Sequence, residues 1–312
     1  MDRNRKALSK GMTRALVSVV IPTYNRAGYV AEAINSAKAQ TYQRTQIIVV
    51  DDGSGDDTAR RVAAIGGVEY YYQSNKGQGA ARNYGLSFAK GEYIASLDSD
   101  DLWDRDFLDR SVTCLEEFDL DFVFTNWNKD RQGHLLPSEW LQHKKWKPYQ
   151  TNRQGEWFLL TPVQVRKLFL DICPAPSSSL LVRRGSLVSG WGEQMQIADD
   201  WYLLLEMALR RTCRAAFSLT PRWQKRVDGQ NVYDGQPPIE TLKKLYVHDH
   251  RIFSRDFAAD LARSEKLKLT RRQIKYRLLL SLRAALRSKF ALRAGIPAIM
   301  APLRPLLRRR SD

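Results

Sequence analysis

Short apolar runs that alternate with helical patterns are the feature that most constrains how this chain can fold. The apolar runs of strand length are Val17–Ile21, Ile47–Val50, Val68–Tyr72 and Tyr93–Leu97. Between the first two, the stretch 27–40 places Val30, Ala33, Ile34 and Ala37 on one helical face. Continuous apolar strands are typical of parallel sheets that are buried on both faces. The alternation therefore predicts an α/β domain with a mostly parallel sheet and helices on both sides.

Acidic residues follow two of these runs directly. Asp98, Asp100 and Asp101 come after the run that ends at Leu97, and Asp51 and Asp52 come after Val50. Ligands of open α/β sheets bind outside the carboxyl ends of the strands, so both groups are expected at one crevice. Like charges repel, and carboxylate oxygens are ligands that Mg²⁺ and Mn²⁺ prefer. The pattern indicates an enzyme that handles a nucleotide diphosphate with a divalent cation.

Four motifs in sequence order make the pattern more specific. They are Val17–Arg26, Val49–Ser54, Asn75–Gly85 and Leu97–Asp101. In this order and spacing they resemble the inverting family 2 glycosyltransferases, which have the GT-A fold, over roughly residues 15–235. The resemblance implies a Rossmann-like, mostly parallel sheet flanked by helices. To this fold the present chain adds a C-terminal basic helical extension.

The resemblance also implies roles for individual residues. The implied nucleotide- and donor-binding residues are Pro22, Thr23, Tyr24, Asp52, Arg82, Asp98 and Arg226. The implied cofactor is Mn²⁺ or Mg²⁺, held by Asp100 with Asp98 nearby. Arg226 lies in a segment that resembles the family's diphosphate-contacting Arg-x-His-x-x-Asn, although Asp228 stands where His is usual. An arginine can still neutralise a diphosphate there.

A second acidic pair, Asp199-Asp200, follows the turn Ser189-Gly190-Trp191. The segment resembles the family's Gly-Gly-Phe-like turn and Glu-Asp pair, with Trp191 for Phe and Asp199 for Glu. The resemblance assigns Asp200 as the general base and Asp199 as a supporting or alternative base. Acids at a helix start also interact favourably with the helix dipole, so capping is an alternative explanation that is compatible with catalysis.

Positive charge is concentrated in the last fifty residues. The chain carries a net charge of +16, and residues 263–312 hold 15 Lys and Arg against 2 acidic residues. Within 277–293, Leu279, Leu282, Leu286 and Phe290 share one helical face that basic residues flank. Such a helix is expected either to lie on an anionic membrane surface or to pack its leucines on the catalytic domain. Because the basic character belongs to this tail, nucleic-acid binding is disfavoured.

Three expectations concern organisation and location. We predict a basic leader (1–14), a glycosyltransferase domain (15–250) and a helical basic amphipathic tail (251–312). The domain would have a nucleotide-sugar half, 15–125, and an acceptor and catalytic-base half, 126–250. The tryptophan-rich stretch 126–172 either packs its tryptophans on the core or offers an acceptor platform.

Three sparse cysteines fit a reducing compartment and argue against a disulfide framework or a zinc site. No long apolar segment follows the basic N-terminus, and no stretch reaches the roughly 20 apolar residues of a membrane span. The expected location is cytoplasmic, peripherally associated with the inner face of the membrane.

The sequence thus predicts an inverting transferase that moves a sugar from a nucleotide-diphosphate sugar, of the UDP type, to a hydroxyl group. The expected acceptor is a glycan or lipid-linked molecule in cell-surface polysaccharide synthesis. Two alternatives stay open: a catalytically silent sugar-nucleotide-binding scaffold, and a nucleotidyltransferase on a similar fold.

Overall fold

The computed structural model describes residues 14–131, 134–137, 144–227 and 237–293. The chain divides into two compact units, Met1–Gly235 and Gln236–Asp312, and each is described here by itself. The leader expected at 1–14 lies outside the described residues except for Arg14, and so do Trp140, Asp228 and the tail beyond 293.

The first unit is built on one sheet with flanking helices. Its strands are β1 (Val17–Thr23), β2 (Thr45–Asp51), β3 (Glu69–Tyr72), β4 (Tyr93–Ser96), β5 (Leu102–Trp103), β6 (Phe122–Arg131), β7 (His134–Pro137), β8 (Arg153–Gln154), β9 (Trp157–Leu160), β10 (Leu180–Arg183) and β11 (Ala215–Arg226). Its helices are α1 (Val30–Lys38), α2 (Thr58–Ala63), α3 (Gln78–Phe88), α4 (Phe107–Glu117), α5 (Pro162–Asp171) and α6 (Asp199–Arg210).

The sheet has a parallel core and antiparallel neighbours. Its order is β3-β2-β1-β4-β10-β6-β11-β9-β8, with β5 on β11 and β7 on β6. Strands β1, β2, β3 and β4 pair in parallel, as the alternating pattern predicts. The sheet as a whole is mixed, because β10 runs antiparallel to both β4 and β6. Strand β10 therefore starts beside the carboxyl end of β4, and this brings the preceding turn, Ser177–Ser179, to that end of the sheet.

The helices bury the faces that the sequence pattern predicts. Val30, Ala33, Ile34 and Ala37 of α1 are all buried. Helix α3 packs very closely on the sheet: a Cβ atom at Gly85 would lie 2.5 Å from Cγ1 of Val20 and 3.0 Å from Cγ2 of Val50. A glycine at this position lets α3 approach β1 and β2 more closely than any other residue would.

Three tryptophans of the region 126–172 belong to the core. Trp127, Trp146 and Trp157 are all buried, and the ring centroids of Trp127 and Trp223 are 5.4 Å apart. Of the two explanations considered for this stretch, packing on the core accounts for these three tryptophans.

The second unit is helical. It consists of α7 (Pro238–Leu242), a π-helical turn (Lys243–Asp249), α8 (His250–Asp256) and α9 (Arg263–Arg293). The ring of Tyr276 on α9 stacks on Tyr246 at 3.8 Å, and Gln273 Nε2 donates to the carbonyl of His250 at 2.8 Å. These contacts define the inner face of α9.

The exposed apolar side chains of α9 lie on another face. They are Leu267, Ile274, Leu278 and Leu282. Leu282 belongs to the leucine face predicted from the sequence, whereas Leu279 is half-buried and the side chains of Leu286 and Phe290 lie outside those described. The exposed stripe begins earlier than predicted because the helix itself begins at Arg263. Within the described ranges, no helix is both long enough and apolar enough to cross a membrane.

All three cysteines are free thiols. Cys114 and Cys213 are buried and Cys173 is half-buried. Burial raises the pKa of each thiol, that of Cys213 to about 12.

Candidate active site

The acidic residues that follow β4 form a compact group. One carboxylate oxygen from each of Asp98, Asp100 and Asp101 lies within 4.8 Å of the others. Burial, followed by the negative charges of Asp100 and Asp98, raises the pKa of Asp101 well above its ordinary value. Three converging carboxylates are a donor set that fits a hard divalent cation. The group contains the two predicted metal ligands, Asp98 and Asp100, and adds Asp101, which the sequence analysis did not assign.

Ser178 links two members of this acidic group by hydrogen bonds. Its hydroxyl donates to Oδ2 of Asp101 at 2.6 Å, and the amide of Asp98 donates to Ser178 Oγ at 3.1 Å. Oδ1 of Asp101 accepts from the amide of Arg226 at 3.3 Å. Asp101 is thus held by internal hydrogen bonds, which makes Asp98 and Asp100 the better candidates for contact with a cation. The Ser177-Ser178-Ser179 run is visible in the sequence, but only the antiparallel entry of β10 brings it here.

Two arginines contact the acidic group and a third lies beside it. Arg26 Nη2 lies 3.3 Å from Oδ2 of Asp100, and Arg82 Nη2 lies 2.5 Å from Oδ1 of Asp98. The side chain of Arg226 instead pairs with Glu32 of α1 at 2.8 Å, and its guanidinium lies 4.3 Å from the centre of the Tyr29 ring. Its backbone amide contacts Asp101 of the group.

Four of the predicted nucleotide-binding residues, Pro22, Thr23, Tyr24 and Asp52, lie at the ends of β1 and β2. The amide of Asp52 donates to the carbonyl of Thr23 at 2.8 Å, so these two segments are adjacent. Pro22 and Thr23 are buried in β1, whereas Tyr24 is 48% exposed and is therefore not a core aromatic.

The carboxylate of Asp52 already has three hydrogen-bond donors. It accepts from Gln73 Nε2 at 2.7 Å and from the amides of Lys76 and Gly77, each at 2.8 Å. Asp51 accepts from the hydroxyl of Tyr70 and the amide of Ser54, both at 2.8 Å. Both acids therefore order the loops at this edge of the sheet.

The second acidic pair begins α6, where its two members have different surroundings. Asp199 is buried, and its carboxylate accepts from Gln78 Nε2 at 2.7 Å and forms an ion pair with Arg82. Asp200 is half-buried, and its Oδ1 accepts from the amide of Trp201 at 2.7 Å. Burial, followed by the charge of Asp199, raises the pKa of Asp200 to about 7.

Arg82 joins the two acidic groups. Its side chain is 2% exposed; Nε donates to Ser96 Oγ at 3.1 Å, Nη2 contacts Asp98 and Nη1 contacts Asp199. Residues about a hundred positions apart in sequence are thereby brought to one guanidinium group. In the sequence these acids are related only through the family resemblance, and Gln78 was not predicted, although it lies inside the motif Asn75–Gly85.

Comparison with protein families finds a match in the first half of the chain. The sequence model described as "Glycosyl transferase family 2" matches residues 18–170. Chondroitin synthase from Escherichia coli is 31% identical over 202 residues, which cover 62% of this chain and 26% of that protein. The matched regions cover between 19% and 39% of the length of such curated relatives.

Two solved structures resemble the chain over a larger part of its length. TarS from S. aureus in complex with UDP-GlcNAc gives a TM-score of 0.59 at 20% identity, covering 81% of this chain and 70% of that one. The mannosyltransferase PcManGT from Pyrobaculum calidifontis, in complex with GDP-Man and Mn²⁺, gives a TM-score of 0.56 at 18% identity. It covers 97% of this chain and 87% of that one. At such identities the likeness concerns the fold.

Proposed function

We propose that this chain, which belongs to the family 2 glycosyltransferases through residues 18–170 and has the GT-A fold, transfers a sugar from a nucleotide-diphosphate sugar to an acceptor hydroxyl with inversion. The observation that carries the proposal is the guanidinium of Arg82, shared by Asp98 of the acidic group and Asp199 of the acidic pair. A single displacement needs a diphosphate site on one side of the anomeric carbon and a proton acceptor on the other, and this arrangement supplies candidates for both.

Asp200 is the proposed general base. As the acceptor oxygen attacks the anomeric carbon and the bond to the diphosphate oxygen breaks, a carboxylate oxygen of Asp200 takes the hydroxyl proton. A carboxylate whose pKa is about 7 is well matched to this task near neutral pH. Asp199, held by Arg82 and Gln78, is the supporting acid, because both of its oxygens already have partners.

The donor diphosphate is proposed to lie against the acidic group. Asp98 and Asp100 would hold Mg²⁺ or Mn²⁺, which would stabilise the charge that develops on the leaving diphosphate. Arg26 and Arg226 are the cationic side chains beside that position, and Arg226 would exchange its pairing with Glu32 for the diphosphate. Arg82 is proposed to orient the donor side through its contact with Asp98.

A uridine nucleotide is the proposed donor. Its base would lie between the exposed ring of Tyr24 and the segment of Asp52, beside Pro22 and Thr23. Structural neighbours have been solved with UDP-GlcNAc and with GDP-Man, so the choice between uridine and guanosine belongs in the experiment.

The proposed acceptor is a glycan or lipid-linked molecule of cell-surface polysaccharide synthesis, at the cytoplasmic face of a membrane. Support comes from α9, whose exposed apolar stripe is flanked by exposed basic side chains. These are Lys266, Lys268, Arg271, Lys275, Arg277 and Arg283. An apolar face with basic flanks suits an anionic lipid surface, which neither an apolar nor a basic face alone would bind as well.

A panel of UDP- and GDP-sugars tests the catalytic proposal. The full chain is incubated with each donor and Mn²⁺, and release of the nucleotide diphosphate is measured with and without EDTA. We expect one donor to be consumed only with the metal, and Asp100→Asn to abolish this turnover while the thermal unfolding temperature stays unchanged. Turnover that persists in excess EDTA would remove the metal from the proposal. No turnover with any donor would favour the catalytically silent sugar-nucleotide-binding scaffold.

A further inference from the structure

We infer that Asn83 of α3 is a positioning residue for the acidic pair at the start of α6. The inference rests on the proposed function, because it concerns how the proposed base is held. Asn83 lies in the motif Asn75–Gly85. Neither the proposed donor binding nor the proposed metal binding gives this residue a role.

Both ends of the Asn83 side-chain amide bind the backbone of one residue. Its Oδ1 accepts from the amide of Trp191 at 2.8 Å, and its Nδ2 donates to the carbonyl of Trp191 at 2.8 Å. Nδ2 also lies 2.9 Å from Oε1 of Glu193. A side-chain amide that binds both backbone groups of a residue fixes that residue's position and orientation, much as a neighbouring strand would.

The segment that Asn83 holds is in turn bonded to the acidic pair. The amide of Gly192 donates to the carbonyl of Asp199 at 3.2 Å. On the facing side, a Cβ atom at Gly79 would lie 2.9 Å from the carbonyl oxygen of Gly192, so α3 and this turn are in close backbone contact. The indole of Trp191 anchors the turn from the other direction, through Nε1 to Ser177 Oγ at 3.3 Å.

One face of α3 therefore makes all of these contacts. Gln78 and Arg82 bind the carboxylate of Asp199, Gly79 meets Gly192, and Asn83 binds Trp191. Gly79, Arg82 and Asn83 follow Gln78 by one, four and five positions. On a helix that advances about 100° per residue, the four side chains therefore lie within an arc of about 140°. Two turns after Gln78, Gly85 fixes α3 by its close approach to β1 and β2.

Asn83 and Arg82 act on different parts of this arrangement. Arg82 binds both the donor side, through Asp98, and the acid side, through Asp199. Among the described residues, the Asn83 side chain hydrogen-bonds to Trp191 and Glu193. Loss of Asn83 should therefore displace the proposed base without changing the donor site, whereas loss of Arg82 should affect both.

The control is Gln46, whose amide makes equivalent bonds at the other end of α3. Its Nε2 donates to the carbonyl of Phe88 at 3.1 Å and its Oε1 accepts from the amide of Lys90 at 2.9 Å. Gln46 is half-buried like Asn83, but it lies near the start of β2, away from the carboxyl ends of the strands. Gln46→Leu should lower stability to a similar degree without affecting the acidic pair.

Two measurements on the full chain test the inference. Amide hydrogen exchange should show faster exchange of Trp191 in Asn83→Leu and no local change in Gln46→Leu. Turnover with the donor found in the panel should fall by up to about 10²-fold in Asn83→Leu, since a displacement of about 1 Å can cost that much. The affinity for UDP and for GDP with Mn²⁺, measured by calorimetry, should equal that of the unmodified chain.

The inference is overturned if Asn83→Leu keeps full turnover, if Trp191 exchange is unchanged, or if nucleotide affinity falls in parallel with turnover. Failure of the proposed function gives a different result. In that case Asp200→Asn is as active as the unmodified chain, whereas hydrogen exchange still reports on the Asn83 contact.

Discussion

At the residue scale, the carboxylates of Asp199 and Asp200 have different surroundings although the two residues are adjacent in sequence. Side chains one residue apart on a helix diverge by about 100°, so the two acids meet different partners. Asp199 points to Arg82 and Gln78, whereas the partner found for Asp200 Oδ1 is the amide of the next residue. Asp199 thus forms an ion pair with Arg82, whereas Arg82 acts on Asp200 through its charge.

Substitution of the two acids should therefore give unequal losses. Asp200→Asn is expected to lower kcat by about 10²–10⁴-fold with nucleotide affinity nearly unchanged, which is the usual effect of removing a positioned base. Asp199→Asn should be milder in kcat, but should reduce thermal stability because Arg82 loses a buried partner. Steady-state kinetics and thermal unfolding of both variants test this ranking. The reverse ranking would assign the base to Asp199.

The pH dependence of turnover follows from the raised pKa of Asp200. The base must be ionised, so turnover should fall about tenfold per pH unit below a pH of about 7 and level off above it. For stability the sign is opposite: the native state binds this proton more tightly than the unfolded chain, so ionisation of Asp200 weakens the native state as the pH rises from about 4 to 7. Asp200→Asn should therefore not lower the unfolding temperature at pH 8. If the turnover of the unmodified chain instead began to fall only near pH 4, the assignment of Asp200 as the base would be contradicted.

At the scale of elements, α3 is the helix on which the site depends. Its glycines allow close approach on two sides, to the sheet at Gly85 and to the turn of Gly192 at Gly79. Such contacts leave no room for a methyl group, and so they define the distance between the sheet and the acidic pair.

Gly85→Ala should destabilise the protein despite alanine's better helix propensity. The added methyl group would lie 2.5 Å from Val20 Cγ1, and overpacking of this kind costs about 1–3 kcal/mol. The propensity gain of about 1 kcal/mol offsets only part of that cost. Gly66→Ala is the matched control, because a Cβ atom there meets nothing within 4 Å. Denaturant unfolding of both variants measures the difference, and equal stability would show that α3 moves away from β1 and β2 readily.

At the scale of the whole molecule, charge and apolar surface are unevenly distributed. Among the described side chains of α9, the most exposed apolar ones are Leu278 and Leu282, at 60% and 63%. Burying a leucine is worth about 1.5–3 kcal/mol, so the double variant Leu278→Ser, Leu282→Ser should bind vesicles of phosphatidylglycerol and phosphatidylcholine much more weakly. Vesicle flotation measures this, with Val163→Ser, a change at an exposed valine of the first unit, as the control. Unchanged flotation, or a large loss of thermal stability, would show that this face has another role.

The sequence allowed the parallel core, the buried face of α1 and the acidic group after β4 to be predicted, because each depends on local pattern. The antiparallel entry of β10 was not predicted, since no local pattern specifies which neighbour a strand will pair with. Ser178 and Asn83 were missed for the same reason. Both act on residues about eighty or a hundred positions away, and such contacts exist only once the sheet is assembled.

The state of the three cysteines has a practical consequence for spectroscopy. Because thiol-directed dyes react with the thiolate, side chains that are buried and have a raised pKa should label slowly in the native protein. A single exposed thiol introduced by Leu278→Cys would then carry an environment-sensitive fluorophore without prior removal of the native cysteines. Emission from that one label, recorded as lipid is titrated in, would report whether α9 enters the bilayer surface and to what depth.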